Sequence, residues 1–504
     1  MQRFLISLAA ACAVAATIAT PSQAGKQQLS VFQDDRLLVL SGDSTRERTL
    51  DDLQELGVDT IHSVAFWHKI APAPTSRRRP SGFDGSDPAA YPAEFWDKYD
   101  GLVRGASVRG MDLILSPSAP IPSWASGCPT TRLALRRTCR PNLTQFKRFV
   151  AALGTRYSGE YADENQGRGT LPRVTRWSVW NEPNQGGWLT PQYARVKGRV
   201  VSVSPVIYRG LVRSALKALQ QTGHGSDDIL LGETAPLGRR TGSLSTRPTP
   251  PTEFLRDLLC LDARGRKLTG SRAQTMDCRG FTRIGVSGVS HHPYTRGGSQ
   301  PPTAKGLPTE ITMSSASRLK AILTAAGRQQ RLRSGLPIWY TEYGFQTNPP
   351  DELFGVSLEE QARFINQSDF LAYQDRAVRS VAQYELRDEA NLASFQTGLR
   401  FNDGRPKPAF AAYRLPIWVA RSTGGRLRVW GQVRPAADDA LEDVEVQNDP
   451  DGSGDFSTVE TVQTTDAKGF IDVRVPSRGG TWRLRWTPKD GGATVTSRVA
   501  RVGG

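Results

Sequence analysis

The feature that most constrains the fold is an alternation of short apolar runs with helical patterns between residues 35 and 415. Residues 59–66 (DTIHSVAF) form a β-branched run of strand length, whereas residues 143–157 place apolar side chains at positions i, i+3, i+4 and i+7. Strands that alternate with helices are typical of parallel βα units, in which each helix returns the chain for the next strand. The chain is therefore predicted to be an α/β protein.

Eight strands of this kind can be placed before residue 415. They are predicted at residues 36–40, 59–66, 111–116, 175–180, 229–232, 285–290, 337–340 and 381–386. Helical patterns between them cover residues 45–56, 91–108, 143–157, 208–220, 314–326 and 358–376. Eight strands separated by helices predict a (β/α)8 TIM barrel over residues 25–415.

The pattern changes near Trp418. Polar and apolar residues then alternate in short runs such as 426–430 (RLRVW) and 482–486 (WRLRW), and turn sequences such as 449–452 (DPDG) separate the runs. Such alternation indicates antiparallel strands with one buried and one solvated face. Residues 416–504 are therefore predicted to form a small all-β sandwich domain.

The first residues have the composition of a targeting segment. Arg3 precedes an apolar run over residues 4–19, and Ser22-Gln23-Ala24 has the small-x-small form of a cleavage site. This pattern predicts a signal peptide over residues 1–24 and a secreted, extracellular protein, with a short membrane anchor as the alternative. After this segment no apolar run approaches the roughly 20 residues that cross a bilayer, so no membrane span is expected in the mature chain.

Cysteine usage agrees with export. Cys12 lies in the predicted signal peptide, and the other four cysteines fall in two local pairs, Cys128 with Cys139 and Cys260 with Cys278. An even number in an oxidising compartment favours two disulfides, and of the three possible connectivities we expect the two local pairings. Metal binding is the alternative, but no Cys-x-x-Cys occurs and no pair has a His at ligand spacing, so no metal site is predicted.

The chain is strongly basic, with a formal net charge of +16. A basic protein can bind nucleic acid, anionic surfaces or acidic polymers. The charges are scattered, however; the run Arg77-Arg78-Arg79 lies in a Pro-rich segment, and no helix-turn-helix, zinc-finger or RRM signature occurs. We therefore interpret the charge as solvated surface and expect no nucleic-acid partner; an adhesive protein that binds acidic polymers is an alternative.

Polar side chains follow several of the predicted strands. Glu182 follows the fourth strand, Glu342 the seventh, and His292 and Tyr294 the sixth. Functional residues of a parallel barrel stand at the carboxyl ends of its strands, so the two carboxylates should face each other across the barrel mouth. Two opposed carboxylates, one protonated and one ionised, are what cleavage of a glycosidic bond requires.

The segments WNEPN and WYTEYG, which contain these two glutamates, resemble the retaining glycoside hydrolases of clan A, most closely families 39 and 5. The resemblance implies that Glu182 is the general acid/base and Glu342 the nucleophile. It also implies that Asn181 holds the sugar 2-hydroxyl, that His292 contributes to the site, and that the Tyr294 hydroxyl is hydrogen-bonded to the nucleophile.

The chain departs from this family pattern at two positions. Clan members often carry an Arg on the second strand that contacts the nucleophile, and His62 stands there in this chain. The Trp that usually ends the eighth strand is absent, and Tyr384 is the expected substitute. Further candidates for contacts in the cleft are Trp67, Trp124, Trp188, Glu233 and Asp388.

The function predicted from the sequence is a secreted glycosidase that cleaves β-linked glycosides or polysaccharide with retention of configuration. The expected partner is a carbohydrate substrate, no cofactor is expected, and the protein is expected to be a monomer. The alternative is a non-catalytic barrel of the cell surface that binds carbohydrate, which would show saturable binding without product.

Overall fold

The computed structural model describes residues 28–436, 441–465 and 468–503. The predicted signal peptide, residues 1–24, lies outside the described residues. Within these ranges no helix has both the length and the apolar character needed to cross a bilayer.

Eight parallel strands close into a barrel, which confirms the predicted fold class. The neighbours around the barrel are β1-β10-β9-β8-β7-β4-β3-β2. A separate antiparallel hairpin is formed by β5 and β6. The strands up to this point are β1 (Leu29–Gln33), β2 (Thr60–Phe66), β3 (Asp112–Ser118), β4 (Arg176–Val179), β5 (Tyr193–Val196), β6 (Arg199–Ser202), β7 (Asp228–Thr234), β8 (Gly288–His291), β9 (Ile338–Tyr340) and β10 (Val378–Tyr384).

Helices surround the barrel and bury one face against it, as the 3.6-residue period predicts. The helices are α1 (Asp35–Leu38), α2 (Asp43–Glu55), α3 (Trp67–Ile70), α4 (Asp97–Val108), α5 (Leu133–Arg136), α6 (Leu143–Arg156), α7 (Ser204–Gln221), α8 (Pro251–Leu258), α9 (Gly270–Thr275), α10 (Ala316–Arg328), α11 (Leu358–Gln374) and α12 (Pro408–Arg414).

The first strand differs from its prediction. Residues 36–40 were expected to form it, but the strand is β1 (Leu29–Gln33), and most of the expected segment belongs to α1. The Asp34 side chain caps α1 by accepting a hydrogen bond from the Leu37 backbone N–H at 3.0 Å. Leu37 and Leu38 are buried, so their apolar run reflects packing of a short helix rather than a strand.

The chain after α12 forms two antiparallel sheets that share one apolar core. One sheet has the order β11-β12-β15 and the other β14-β13-β16-β17. This arrangement agrees with the predicted all-β sandwich, and the predicted boundary at residue 415/416 falls between α12 and β11. The strands are β11 (Ile417–Arg421), β12 (Arg426–Gln432), β13 (Asp443–Asp449), β14 (Ser457–Gln463), β15 (Phe470–Pro476), β16 (Thr481–Trp486) and β17 (Val495–Thr496).

Both predicted cysteine pairs lie at bonding distance. The sulfur atoms of Cys128 and Cys139 are 2.03 Å apart, and those of Cys260 and Cys278 are 1.98 Å apart. The first pair closes the segment between β3 and α6, and the second closes the segment that contains α9. Each disulfide therefore links two ends of a connection between barrel elements.

Candidate active site

Glu182 lies just beyond the carboxyl end of β4. The backbone there turns sharply, with positive φ angles at Trp180 (70°) and at Glu182 itself (37°). Residues other than Gly rarely adopt positive φ angles, and such backbone conformations concentrate at functional sites. The Glu182 N–H donates to the Glu233 carbonyl oxygen at 3.0 Å, which joins the turn to the end of β7. The Glu182 side chain is 17% exposed and so remains open to the cleft.

Glu342 follows β9 on the same face of the barrel. Its side chain is 11% exposed, and the Tyr294 hydroxyl donates to its Oε1 at 3.0 Å, as the family resemblance implies. Burial raises the pKa of Glu342 to about 7. Repulsion from Glu182 adds to this rise, whereas attraction to the His292 imidazolium opposes it. The carboxylate is therefore poised to exchange its proton near neutral pH.

His292 lies between the two carboxylates. Its Nδ1 is 3.1 Å from Oε1 of Glu182 and 3.7 Å from Oε2 of Glu342. Burial by itself would lower the pKa of His292, but Glu342 and Glu182 outweigh that effect and raise the pKa to about 9. His292 is therefore a cation at neutral pH that partly balances the negative charge of the pair.

The ligand-type atoms of Glu182, His292 and Glu342 all lie within 4.8 Å of one another. This value is an upper limit for one oxygen of each carboxylate; retaining glycosidases hold their carboxyl groups about 5–5.5 Å apart, and inverting enzymes about 6.5–9.5 Å apart. The same trio has the residue types of a metal site. We interpret it instead as two carboxylates bridged by one imidazole, because Nδ1 of His292 lies within 3.7 Å of an oxygen of each carboxylate.

Asn181 is buried beside this group. Its backbone N–H donates to Oγ of Ser118 at 2.9 Å. In the orientation that satisfies its amide, Asn181 donates to Oε2 of Glu233 at 3.0 Å and accepts from Nε1 of Trp188 at 3.2 Å. Two partners therefore fix the direction in which the amide faces.

Glu233 is a third carboxylate of the site, fully buried at the end of β7. Its Oε1 lies 2.9 Å from Nε2 of His62, whose Nδ1 lies 2.7 Å from Oε1 of Gln33. Burial would raise the pKa of Glu233, but His62 and His292 lower it below its ordinary value. Burial would lower the pKa of His62, but Glu233 and Asp35 raise it. A lowered carboxylate pKa and a raised imidazole pKa are both what a buried ion pair between Glu233 and His62 produces.

This ion pair occupies the place where the family resemblance implies an Arg that contacts the nucleophile. In this chain His62 contacts Glu233 instead, and Glu233 holds Asn181. From the sequence, Glu233 is predicted only as a candidate for contacts in the cleft. Gln33 was missed, because the first strand was predicted at residues 36–40, whereas it ends at Gln33.

The aromatic candidates differ in position. Trp67 is fully buried and stacks on Phe149 with ring centroids 5.3 Å apart, so the structure does not bring it to the cleft. Trp124 is half-buried and donates its Nε1 hydrogen to the Pro72 carbonyl at 3.0 Å. Tyr384 is half-buried near Glu342, and the pKa of Tyr384 is raised by burial and by that carboxylate.

Asp388 does not join the site. Its Oδ1 accepts a hydrogen bond from the Lys407 ammonium at 2.7 Å, and both side chains are buried. The pair connects the segment after β10 to the start of α12. Asp388 is therefore part of the framework behind the barrel mouth.

Comparisons with known proteins bear on the fold. No protein-family model matches the chain, and no curated protein matches its sequence. A solved glucosidase from Croceicoccus marinus is similar over 95% of this chain and 97% of its own, at 12% identity and a TM-score of 0.52.

Two further solved structures are similar at TM-scores below 0.5 and add no argument of their own. The β-glycosidase from Thermosphaera aggregans has 13% identity and a TM-score of 0.48, covering 78% of this chain and 96% of its own. The GH5_18 protein from Streptomyces cattleya has 14% identity and a TM-score of 0.46, covering 77% and 79%. The chain thus shares the fold of a solved glucosidase, an eight-stranded parallel barrel.

Proposed function

We propose that this protein is a retaining glycoside hydrolase that cleaves β-linked glycosides or polysaccharide. The observation that carries the proposal is the pair Glu182 and Glu342, which face each other at the carboxyl ends of β4 and β9 with carboxylate oxygens within 4.8 Å. In this proposal Glu182 is the general acid/base and Glu342 is the nucleophile. The sugar whose bond is cleaved lies between them.

The hydrogen bonds around the pair support this division of roles. Tyr294 donates to Glu342, and a donated hydrogen bond favours the ionised form of a carboxylate. The His292 cation also favours the Glu342 anion, against the burial that raises the pKa of Glu342 to about 7. In this proposal Glu342 reacts as the anion, and Glu182 gives its proton to the leaving oxygen.

The reaction proceeds in two displacements. Glu342 attacks the anomeric carbon, the glycosidic bond breaks, and the leaving oxygen takes the proton of Glu182. Water then attacks the anomeric carbon of the covalent intermediate and transfers a proton to Glu182, while the bond to Glu342 breaks. The anomeric carbon is inverted twice, so its configuration is retained, and the steps need no group beyond these side chains and water.

The proposal includes export and two domains. Residues 1–24 act as a signal peptide, residues 25–415 form the catalytic barrel, and residues 416–504 form an accessory β-sandwich. The two cysteine pairs at disulfide distance support an oxidising compartment. The acting form is a monomer that binds an oligo- or polysaccharide in the barrel mouth.

The test uses aryl β-glycosides with an activated leaving group. In Glu342→Ala we expect turnover to fall by at least about three orders of magnitude, and added azide to restore it with an inverted product, because only one displacement remains. In Glu182→Ala azide should give a retained product, because it attacks the covalent intermediate. The stereochemistry of the glycosyl azide, read by NMR, therefore assigns each role separately.

The matched control is Glu352→Ala, which removes an exposed glutamate and should turn over like the wild type. Azide products of the same configuration from both site variants would contradict the assignment. If aryl glycosides and polysaccharide digests yield no product and no new reducing ends while binding saturates, the protein is a carbohydrate-binding barrel instead.

A further inference from the structure

A groove on the outside of the barrel, between α6 and α7, has no part in the proposed catalysis. It encloses about 620 Å³, a size typical of ligand sites. Five of its lining residues are basic. Arg209 is buried and donates to backbone carbonyl oxygens, which leaves four cations for the groove: Arg140, Lys147, Arg213 and Lys217. Among the described residues that line the groove, Asp277 is the one acidic residue. The groove is therefore a concave surface with an excess of positive charge.

Regular spacing on α7 produces this surface. Val206, Gly210, Arg213 and Lys217 are separated by four, three and four residues, so they form one stripe along the helix. At Gly210 the two helices approach closely, because a Cβ atom there would lie 2.8 Å from Cδ1 of Leu143 on α6. The absence of a side chain at Gly210 lets the apolar floor of the groove form between the two rows of cations.

The cations of the groove are available to a ligand. Across the described residues none of the four forms an ion pair with a carboxylate of the chain, and Arg140, Arg213 and Lys217 are exposed. Elsewhere in the molecule basic side chains of similar exposure do pair, as Arg272 does with Asp257 at 2.7 Å. Cations left together without carboxylates attract an anion, and the attraction is strongest at low salt.

The groove begins on the face of the barrel that carries the site. Both α6 and α7 start beyond the carboxyl ends of barrel strands, and Leu143 and Val206 lie in their first turns. The Arg140 N–H donates to the Thr190 carbonyl oxygen at 2.9 Å, and Thr190 belongs to the connection that follows Glu182. A long polymer bound at the barrel mouth can therefore continue over this rim into the groove.

We propose that the groove between α6 and α7 binds a segment of an anionic polysaccharide, with its carboxylate or sulfate groups against Arg140, Lys147, Arg213 and Lys217. The choice of a polysaccharide, rather than another polyanion, rests on the proposed function. The positively charged stripe and the apolar floor do not depend on it. The groove adds binding energy at a distance from the cleaved bond and selects charged over neutral chains.

The test measures binding in the full-length Glu342→Gln protein, so that no ligand is cleaved. The probes are alginate for carboxylates, dextran sulfate for sulfates, neutral dextran, and single-stranded DNA. The groove variant is Lys147→Glu with Lys217→Glu. Its matched control is Arg48→Glu with Lys98→Glu, which makes the same change in net charge at two exposed residues of α2 and α4.

We expect alginate or dextran sulfate to bind, neutral dextran not to bind through the groove, and affinity to fall as salt rises from about 0.05 M to about 0.3 M. The groove variant should bind at least about tenfold more weakly, and the control less than about twofold. Thermal unfolding checks that both variants are folded. If the variant with two glutamates is not folded, Lys147→Gln with Lys217→Gln replaces it. The expected loss of affinity has the same direction but is smaller.

Three outcomes overturn the inference. Equal weakening in the control would mean that net charge alone attracts the polymer. DNA binding that is as tight and as sensitive to the groove variant would remove the preference for polysaccharide. No binding of either anionic glycan at low salt would show that the groove is not a site. None of these results alters the azide assignment of Glu182 and Glu342, so failure of the groove and failure of the catalytic proposal are distinguishable.

Discussion

Glu233 shows how a carboxylate can serve the site without facing the substrate. It is buried, its charge is balanced by His62, and its second oxygen accepts from the Asn181 amide. Gln33 holds the far side of the His62 ring. A chain of hydrogen bonds from the end of β1 to the end of β4 therefore fixes the amide next to Glu182. We expect Glu233 to act as a positioning residue.

At this residue the prediction concerns stability. Glu233→Ala breaks the buried pair with His62 and leaves His62 and Asn181 without their acceptor, so we expect the free energy of unfolding to fall by about 3–5 kcal/mol. Urea denaturation measures the change. Glu352→Ala, at an exposed glutamate, should stay within about 0.5 kcal/mol of wild type. A Glu233→Ala loss no larger than that of the control would contradict the buried ion pair.

At the scale of elements, two connections at the barrel mouth form one unit. Residues 180–192 follow β4 and residues 235–250 follow β7. The Gln192 N–H donates to the Ser245 carbonyl at 2.9 Å, and the Thr249 N–H donates to the Asn184 carbonyl at 2.9 Å. The position of the Glu182 turn therefore depends on contact with the neighbouring connection.

Gly186 and Gly187 provide a test of this contact, because they are adjacent in the chain but differ in the space available for a Cβ atom. A Cβ atom at Gly186 would lie 2.2 Å from the Thr246 carbonyl oxygen, whereas nothing lies within 4 Å of one at Gly187. We expect Gly186→Ala to push the two connections apart, to cost about 1–3 kcal/mol of stability and to lower turnover. Gly187→Ala should leave both unchanged. Thermal unfolding and glycosidase assays make the comparison, and equal effects would argue against close packing here.

The same elements show what the sequence could predict. The strands buried on both faces, such as β2 and β3, stood out as apolar runs of strand length, and the glutamates that follow β4 and β9 could be placed from them. The run at residues 36–40 was wrongly interpreted because short apolar runs do not distinguish a strand from a buried helical turn. The hairpin β5–β6 was missed, since its strands are half-exposed and only four residues long.

The residues of the site that lie in local motifs could be predicted, whereas its long-range ion pair could not. Glu182, Glu342, His292 and Tyr294 are adjacent to motifs in the chain, and the structure brings them together. The His62–Glu233 pair joins residues 171 positions apart. Its formation depends on which side chains point into the barrel, and no local sequence pattern predicts this orientation.

At the scale of the whole molecule, the β-sandwich packs against the barrel, and its aromatic contact with the barrel is made at α11. Phe370 and Tyr373 on α11 form a cluster with Trp430 and Phe470 of the sandwich, and Trp418 completes it. Phe370 and Trp418 stack with ring centroids 6.1 Å apart. An apolar contact of this kind makes the two parts stabilise each other, since separating them would expose aromatic side chains to water.

A buried ion pair lies at the edge of this contact and provides its test. Arg434, after β12, donates to Asp369 on α11 at 3.2 Å, and both side chains are at most 4% exposed. Asp369→Ala leaves the guanidinium buried without its counter-ion, so we expect a loss of about 3–5 kcal/mol. The control is Asp403→Ala, which breaks the exposed pair with Arg405 and should cost no more than about 1 kcal/mol.

Calorimetry distinguishes the possible couplings. If the sandwich and the barrel unfold together, Asp369→Ala lowers the temperature of a single transition, because the loss is shared by both parts. If the variant instead separates one transition into two, the ion pair is what couples the parts. A trace that matches that of Asp403→Ala would mean that Arg434 finds water or another acceptor, and that the aromatic cluster and the hydrogen bonds to Asn366 hold the sandwich on α11 without this ion pair.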